Sequence, residues 1–311
     1  MKIPPKLVLV LGILAVSTAS PLIRFAQREA ASLVIAAYRM GLSGLILLPL
    51  TIPRHNAELR KLSRGELALA ALSGIFLALH FATWILSLEY TSVASSVVLV
   101  TTTPLWVALL APWFLKERLA PAFLVGLLVA LAGGTIVAVS DSCVQTANGL
   151  LCPPLAEFVQ GGAFWGDILA LMGAWAAAGY LLIGRRLRPT LSLTPYIFLV
   201  YGLAAIVLIG MVAVSGLPIF SFSAEVYVYL LLLALIPQLL GHSSFNWALG
   251  KLPASYVSIA LLGEPVGSTI LAYFALGEVP GWLKVFGAAL ILGGILFATL
   301  SSASKRTAVY N

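Results

Sequence analysis

Between residues 7 and 301 the chain is built almost wholly of apolar stretches long enough to cross a bilayer, cut by short polar turns. At about 1.5 Å rise per residue, roughly twenty helical residues cover the ~30 Å hydrocarbon layer. Within that layer the backbone must satisfy its own amides, so helices or a closed barrel are the only spanning forms. The apolar segments fall near 7–26, 31–50, 66–88, 92–114, 121–140, 164–184, 194–215, 226–249, 256–276 and 282–301. The expected fold is therefore an all-α polytopic membrane protein with ten transmembrane helices. A composition of 61% hydrophobic and 9% charged residues excludes a water-soluble core.

Lys2 and Lys6 ahead of an apolar run, with "AVSTAS" near its end, have the look of a secretory signal. Nine further apolar segments favour a retained first helix instead. The net charge of +7 does not indicate nucleic-acid binding, because the basic residues sit in short loops between segments. With a cytoplasmic amino terminus, the inside inventory is Lys2, Lys6, Arg54, Arg60, Lys61, Arg64, Lys116, Arg118, Arg185, Arg186, Arg188, Lys251, Lys305 and Arg306. The other side receives only Arg24, Arg28 and Lys284, which puts both termini in the cytoplasm and the chain in the cell inner membrane. The connection 141–163 is the one long loop, and it joins Asp141 and Glu157 to both cysteines. Facing an oxidising compartment, Cys143 and Cys152 either close a small ring or stay as thiols.

A shift of 161 residues lays "LSLEYTSVASSVVLVTTTPLWVALLAPWFLKERL" on "WALGKLPASYVSIALLGEPVGSTILAYFALGEVP". Pro104 then meets Pro265, Glu117 meets Glu278, Gly126 meets Gly287 and Gly133 meets Gly294. The reading is two five-helix units, 1–140 and 164–311, joined by an extracytoplasmic linker at 141–163. Five is odd, so the second unit enters the membrane from the opposite side, and inverted repeats provide a physical route to alternating access. The two motif copies resemble the EamA-type repeats of the drug/metabolite transporter superfamily over roughly residues 8–300. That resemblance implies ten helices, cytoplasmic termini, a central cavity and export of small metabolites such as amino acids. Thr103 stands where a glutamate is common before Pro104, and the cysteine-bearing loop is not a general family feature.

Polar residues deep in the apolar segments are the candidate site, because a charge facing lipid costs several kcal/mol or more. Glu264 reads as a proton-coupling or substrate-amine group, or as a structural carboxyl beside Pro265. Arg39 suits a substrate carboxylate, a pair with Glu264, or snorkelling to a membrane face. His80 with Trp84, and His242 with Asn246, each share a helix face and read as cavity lining or as ordinary core. Trp247 is a weaker candidate beside them.

Pro104, after Thr101 to Thr103, and Pro265 each remove a backbone hydrogen bond and serve as gating hinges or as static kinks. Gly126, Gly133, Gly134, Gly287, Gly293 and Gly294 suit close helix packing, as a support or a dimer surface, so the chain is a monomer or a homodimer. Glu117 and Glu278, in short turns, can cap helices or accept loop amides.

No metal or other cofactor is expected, and no phosphate-binding loop points to direct ATP use. The expected partners are a small-molecule substrate, protons and membrane lipids. A secondary transporter leads this reading, with an amino acid as first substrate and lipophilic cations as alternative. A membrane enzyme would need its groups to converge near a membrane face, and a channel would need no alternating pocket.

Overall fold

The computed structural model describes residues 4–115, 121–146, 149–252 and 254–307. Lys2 and the turn containing Lys116, Glu117 and Arg118 lie outside the described residues. Among the described residues, eight helical stretches are long and apolar enough to cross a membrane: Pro5–Ala26, Ser32–Arg60, Arg64–Tyr90, Val93–Leu110, Gly162–Leu187, Leu193–Ser215, Ala224–Leu249 and Tyr256–Leu276. Two further helices carry shorter apolar stretches, Val125–Ser140 and Trp282–Phe297. The protein is a multi-pass membrane protein.

Local signals explain where the helices begin and end. Ser63 and Glu66 form a capping box, the hydroxyl accepting from the Glu66 amide while the carboxylate accepts from the Ser63 amide, and this starts Arg64–Tyr90. Ser92 and Ser223 cap the helices that follow them. Gly216 and Gly277, at φ of 66° and 70°, end theirs in the left-handed conformation that costs glycine nothing.

Three details depart from the sequence expectation. The second segment does not stop at residue 50: its helix runs from Ser32 to Arg60, about 44 Å, through Pro49 and Pro53. The linker contains a two-stranded antiparallel ribbon, Val144–Thr146 with Gly149–Leu151, so the fold is not helical throughout. Its register sets Val144 opposite Leu151 and thereby brings Cys143 to Cys152, with Cα atoms 4.3 Å apart and the sulfurs bonded. Finally, the first, fourth, eighth and ninth segments are interrupted helices rather than continuous ones.

The packing follows the 161-residue shift. Helices Pro121–Ser142 and Trp282–Thr307 lie along one another through their glycines. A Cβ on Gly133 would come 2.6 Å from the Gly287 carbonyl oxygen, and one on Gly294 would come 2.7 Å from that of Gly126. Since Gly126 shifts onto Gly287 and Gly133 onto Gly294, each contact is the swapped image of the other, which is the signature of a two-fold relation. Gly126, Gly133, Gly287 and Gly294 thus pack against one another within one chain, whereas Gly293 has nothing within 4 Å. Likewise, Arg64–Tyr90 packs on Gly162–Leu187, and Pro5–Ser17 packs on the equivalent part of the eighth segment. Gly173 sits against Thr83 and Trp84; Gly12, its equivalent, sits against Ser244 and Phe245.

Replacing Gly133 by Ala is expected to lower stability by roughly 1–3 kcal/mol, because backbone atoms must separate to admit the methyl group. Gly210→Ala, where nothing lies within 4 Å, is expected to be neutral or stabilising by up to ~1 kcal/mol. Thermal melting in detergent distinguishes them, and identical melting points would remove the seam as a packing determinant.

Candidate functional site

The interrupted helices meet at the centre of the bundle. Val93–Val100 ends in a turn at Thr101 and Thr102, and Thr103–Leu115 begins again with Pro104 in its first turn. In the ninth segment Ala254–Ala260 passes into a 3₁₀ turn, Leu261–Gly263, and Glu264–Leu276 begins with Pro265 in its first turn. A proline there lacks only an amide that would have had no helical partner. The carbonyls around the first break are served by threonines: Thr101 Oγ1 donates to Val97 O at 2.9 Å, Thr102 Oγ1 to Leu99 O at 2.7 Å and Thr103 Oγ1 to Val100 O at 2.8 Å.

Beside these breaks lies a cavity with about 550 Å³ of free space reaching to its mouth. Half of its lining pairs off under the shift, Trp84 with Phe245, Val100 with Leu261, and Thr103 with Glu264, whereas the equivalents of His80, Thr101, Ala177, Tyr180, Leu181 and His242 do not line it. The cavity therefore sits between the two repeats. The pairing is chemically unequal, because Glu264 supplies a carboxylate where its equivalent is a hydroxyl. Glu264 is 8% exposed and stands at the first position of its helix, where unpaired amides and the helix dipole favour a negative charge.

His80, Trp84 and His242 line the same cavity. His80 Nδ1 is 2.9 Å from the Gly173 carbonyl, its ring stacks on Trp84 at 5.8 Å, and His242 lies 6.3 Å away. Arg39 is fully buried behind this wall, its guanidinium 4.1 Å over the Phe81 ring and 5.9 Å from that of Trp84. Arg39 and Glu264 attract one another, yet no ion pair joins them among the described residues.

Asn246 departs from the expectation that it shares the cavity face of His242. It does not line the cavity; its amide is held by Tyr180 Oη, which donates to Oδ1 at 2.6 Å, and by Tyr201 Oη, which accepts from Nδ2 at 3.1 Å. The cavity face of this helix is centred between His242 and Phe245, so Asn246 is turned into the wall. The shift of 161 residues carries the signal that finds Phe245, since it lays Trp84 on that residue. Tyr180 has no such signal. Trp247 lies away from the lining, with Lys251 Nζ 3.6 Å over its ring.

The eighth segment contains a further surprise. Ala234–His242 is a π-helix containing Pro237, and within it Gln238 is fully buried and accepts at Oε1 from Arg39 Nε at 2.9 Å. The equivalent of Gln238 in the first repeat is Leu77.

Polar ties close the two ends of the bundle. At one end, Glu278 Oε2 accepts from the Val93 amide at 2.9 Å, Arg24 Nη2 lies 3.6 Å from Glu278 Oε1, and Lys284 Nζ donates to Ser92 Oγ at 2.8 Å. Glu278 thus caps a helix from the other repeat, not the helix that follows it. At the same end the Ser223 amide donates to Glu29 Oε2 at 2.7 Å. That amide, with the Ser223 hydroxyl, holds the Glu29 carboxyl below its ordinary pKa, so this tie is complete above the usual glutamate range and is lost as pH falls through the lowered value. At the other end Glu58 accepts from Ser192, and Arg185 Nη1 donates to Leu249 O at 2.9 Å. The contacts thereby gather Lys61, Arg64, Arg185, Arg186, Arg188 and Lys251 at one end, and Arg24, Arg28 and Lys284 at the opposite one.

The profile of the EamA-like transporter family matches residues 5–139 and again residues 164–300. The chain belongs to that family. It is a secondary transporter that moves small molecules across a membrane, not an enzyme. An uncharacterized transporter of Archaeoglobus fulgidus is 26% identical over 89% of this chain and 91% of its own length. YyaM of Bacillus subtilis, also named as an uncharacterized transporter, is 25% identical over 85% of this chain and 83% of its own. A probable terminal-alkyne amino-acid exporter of Streptantibioticus cattleyicolor is 25% identical over 67% of this chain and 64% of its own. A solved crystal structure superposes with a TM-score of 0.63 at 21% identity, over 96% of this chain and 98% of the other, and so shares the fold.

Asn246→Ala is expected to lower stability by about 1–3 kcal/mol, the cost of leaving the Tyr180 and Tyr201 hydroxyls without their amide partner. Thermal melting measures it, and a variant that melts like the parent would show that the tyrosine bridge carries no structural weight.

Proposed function

We propose that this protein exports small organic metabolites, amino acids first among them, by alternating access between two inverted five-helix halves. One observation carries the reading: the cavity is lined by both repeats, with three pairs of lining residues related by the 161-residue shift, and it combines a buried carboxylate with a guanidinium immediately behind. A zwitterion matches both charges, Glu264 taking the amine and Arg39 the carboxylate. The amino termini of Thr103–Leu115 and Glu264–Leu276 reach the same place and add to the field that favours an anionic group. The name of the Streptantibioticus relative, an amino-acid exporter, supports the same substrate class.

On this reading there are ten spans in two units, 1–140 and 164–311, with 141–163 outside and both termini cytoplasmic in the inner membrane. The swapped glycine contacts support the inversion, and the basic end of the bundle supports the orientation. A single chain contains the whole cavity and is the working unit. Pro104 and Pro265 mark the hinges about which the half-helices tilt, and Glu278 with Arg24 and Val93 forms the outer gate. Lipophilic cations are the second reading, favoured by the aromatic lining of Trp84, His80 and Phe245 around the Glu264 carboxylate.

Purified protein in liposomes, screened for counterflow across amino acids, sugars, nucleosides and cations at several pH values, tests the proposal. Saturable amino-acid counterflow is the expected result; cation counterflow alone would transfer the site to the second reading, and ion current without saturation would indicate a channel. Glu264→Gln is expected to abolish any proton dependence, and a folded variant with an unaltered pH profile would eliminate this carboxylate as the coupling group. Glu278→Gln is expected to raise, several-fold, the labelling of a cysteine placed at Thr103 by an impermeant maleimide added from outside. Unchanged labelling would make the Arg24–Glu278–Val93 cluster a static tie.

A further inference from the structure

We infer that Gln238 is a positioning residue that aims the Arg39 guanidinium at the carboxylate of the substrate, with Trp84 Nε1 as a third donor to the same group. The inference rests on the amino-acid reading above and adds to it the group that sets specificity.

The guanidinium has five N–H donors, and the structure accounts for one edge only. Nε donates to Gln238 Oε1 at 2.9 Å, and one face is covered by Phe81 at 4.1 Å. Nη1 and Nη2 have no acceptor among the described residues, and neither has the indole Nε1 of Trp84, although all three atoms are buried. A buried charged donor without an acceptor is costly, and a carboxylate with two oxygens is the small group whose geometry answers a guanidinium fork. Trp84 lines the cavity, and the Arg39 guanidinium lies 5.9 Å from its ring. The fork is therefore adjacent to the cavity and short of acceptors.

Gln238 decides which edge of the fork remains for a ligand. By accepting from Nε it fixes rotation about the last side-chain bonds of Arg39 and leaves the Nη pair as the free edge. The π-helical segment Ala234–His242 is what presents Gln238 to Arg39: one turn in this segment takes up an extra residue, and Pro237 contributes no amide to it. The first repeat has Leu77 at the equivalent place in an ordinary α-helix, so this polar contact belongs to one half alone. An apolar side chain at position 238 would let the guanidinium turn toward Glu264, which attracts it.

The test uses L-phenylalanine and 2-phenylethylamine as matched probes, with and without the carboxylate, in competition for counterflow by the full-length protein in liposomes. Gln238→Met keeps the side-chain volume and removes the acceptor. It is expected to weaken L-phenylalanine by roughly tenfold, the equivalent of one charged hydrogen bond, while changing 2-phenylethylamine by less than about twofold. In an Arg39→Gln background the Gln238→Met change is expected to add nothing, because it acts through Arg39. Equal losses for both probes, or a full additional loss in the double variant, would overturn the inference and leave Gln238 a packing residue. If Gln238→Met does not fold, Trp84→Phe keeps the ring and removes the donor; a selective several-fold loss for L-phenylalanine supports the trio and no selective loss defeats it. A parent protein that does not favour L-phenylalanine over the amine would instead refute the amino-acid reading on which the inference stands.

Discussion

In hydrocarbon a helix can be interrupted only where the freed backbone groups find other partners, and this protein places two interruptions side by side at its centre. Thr101, Thr102 and Thr103 serve the carbonyls around one break, and a 3₁₀ turn carries the other. Each new half-helix starts with a proline in its first turn, where the missing amide costs no helical hydrogen bond. The breaks expose helix amino termini to one shared space, and that space is the cavity. His80, Thr101, Thr103, Tyr180, His242 and Glu264 are among its lining.

The cavity is only partly symmetric. Trp84 and Phe245, and Val100 and Leu261, are equivalent positions that both line it, while Thr101, Ala177, Tyr180 and Leu181 line it without such equivalents. Thr103 against Glu264, and Leu77 against Gln238, break the likeness. On the proposed alternating-access reading, related walls let the halves exchange conformations, whereas recognition of an unsymmetrical solute requires unlike groups on the two sides. The second repeat and Arg39 from the first supply those unlike groups.

Away from the axis the structure is rigid by close packing. The glycine seam between Pro121–Ser142 and Trp282–Thr307 brings backbones together where no side chain fits, while serine and threonine hydroxyls elsewhere bond to carbonyls of their own helices. The ties at the bundle ends, Glu278 to Val93 and Arg185 to Leu249 among them, join helices from distant parts of the chain.

The sequence by itself determined the membrane class, the apolar segments, the repeat and the family, because lipid demands long apolar helices and a duplicated unit leaves matching residues at constant spacing. It also picked out His80, Trp84, His242 and Glu264, since polar groups in apolar runs must face one another or water. Only the tertiary structure decided that Asn246 belongs to the Tyr180–Tyr201 bridge, that Gln238 reaches Arg39, and that Glu278 caps a helix of the other repeat. The reason is geometric. Spacing along a helix specifies a face to within tens of degrees, but a π-helical turn shifts that face, and the partner across the interface comes from a part of the chain that local periodicity does not see.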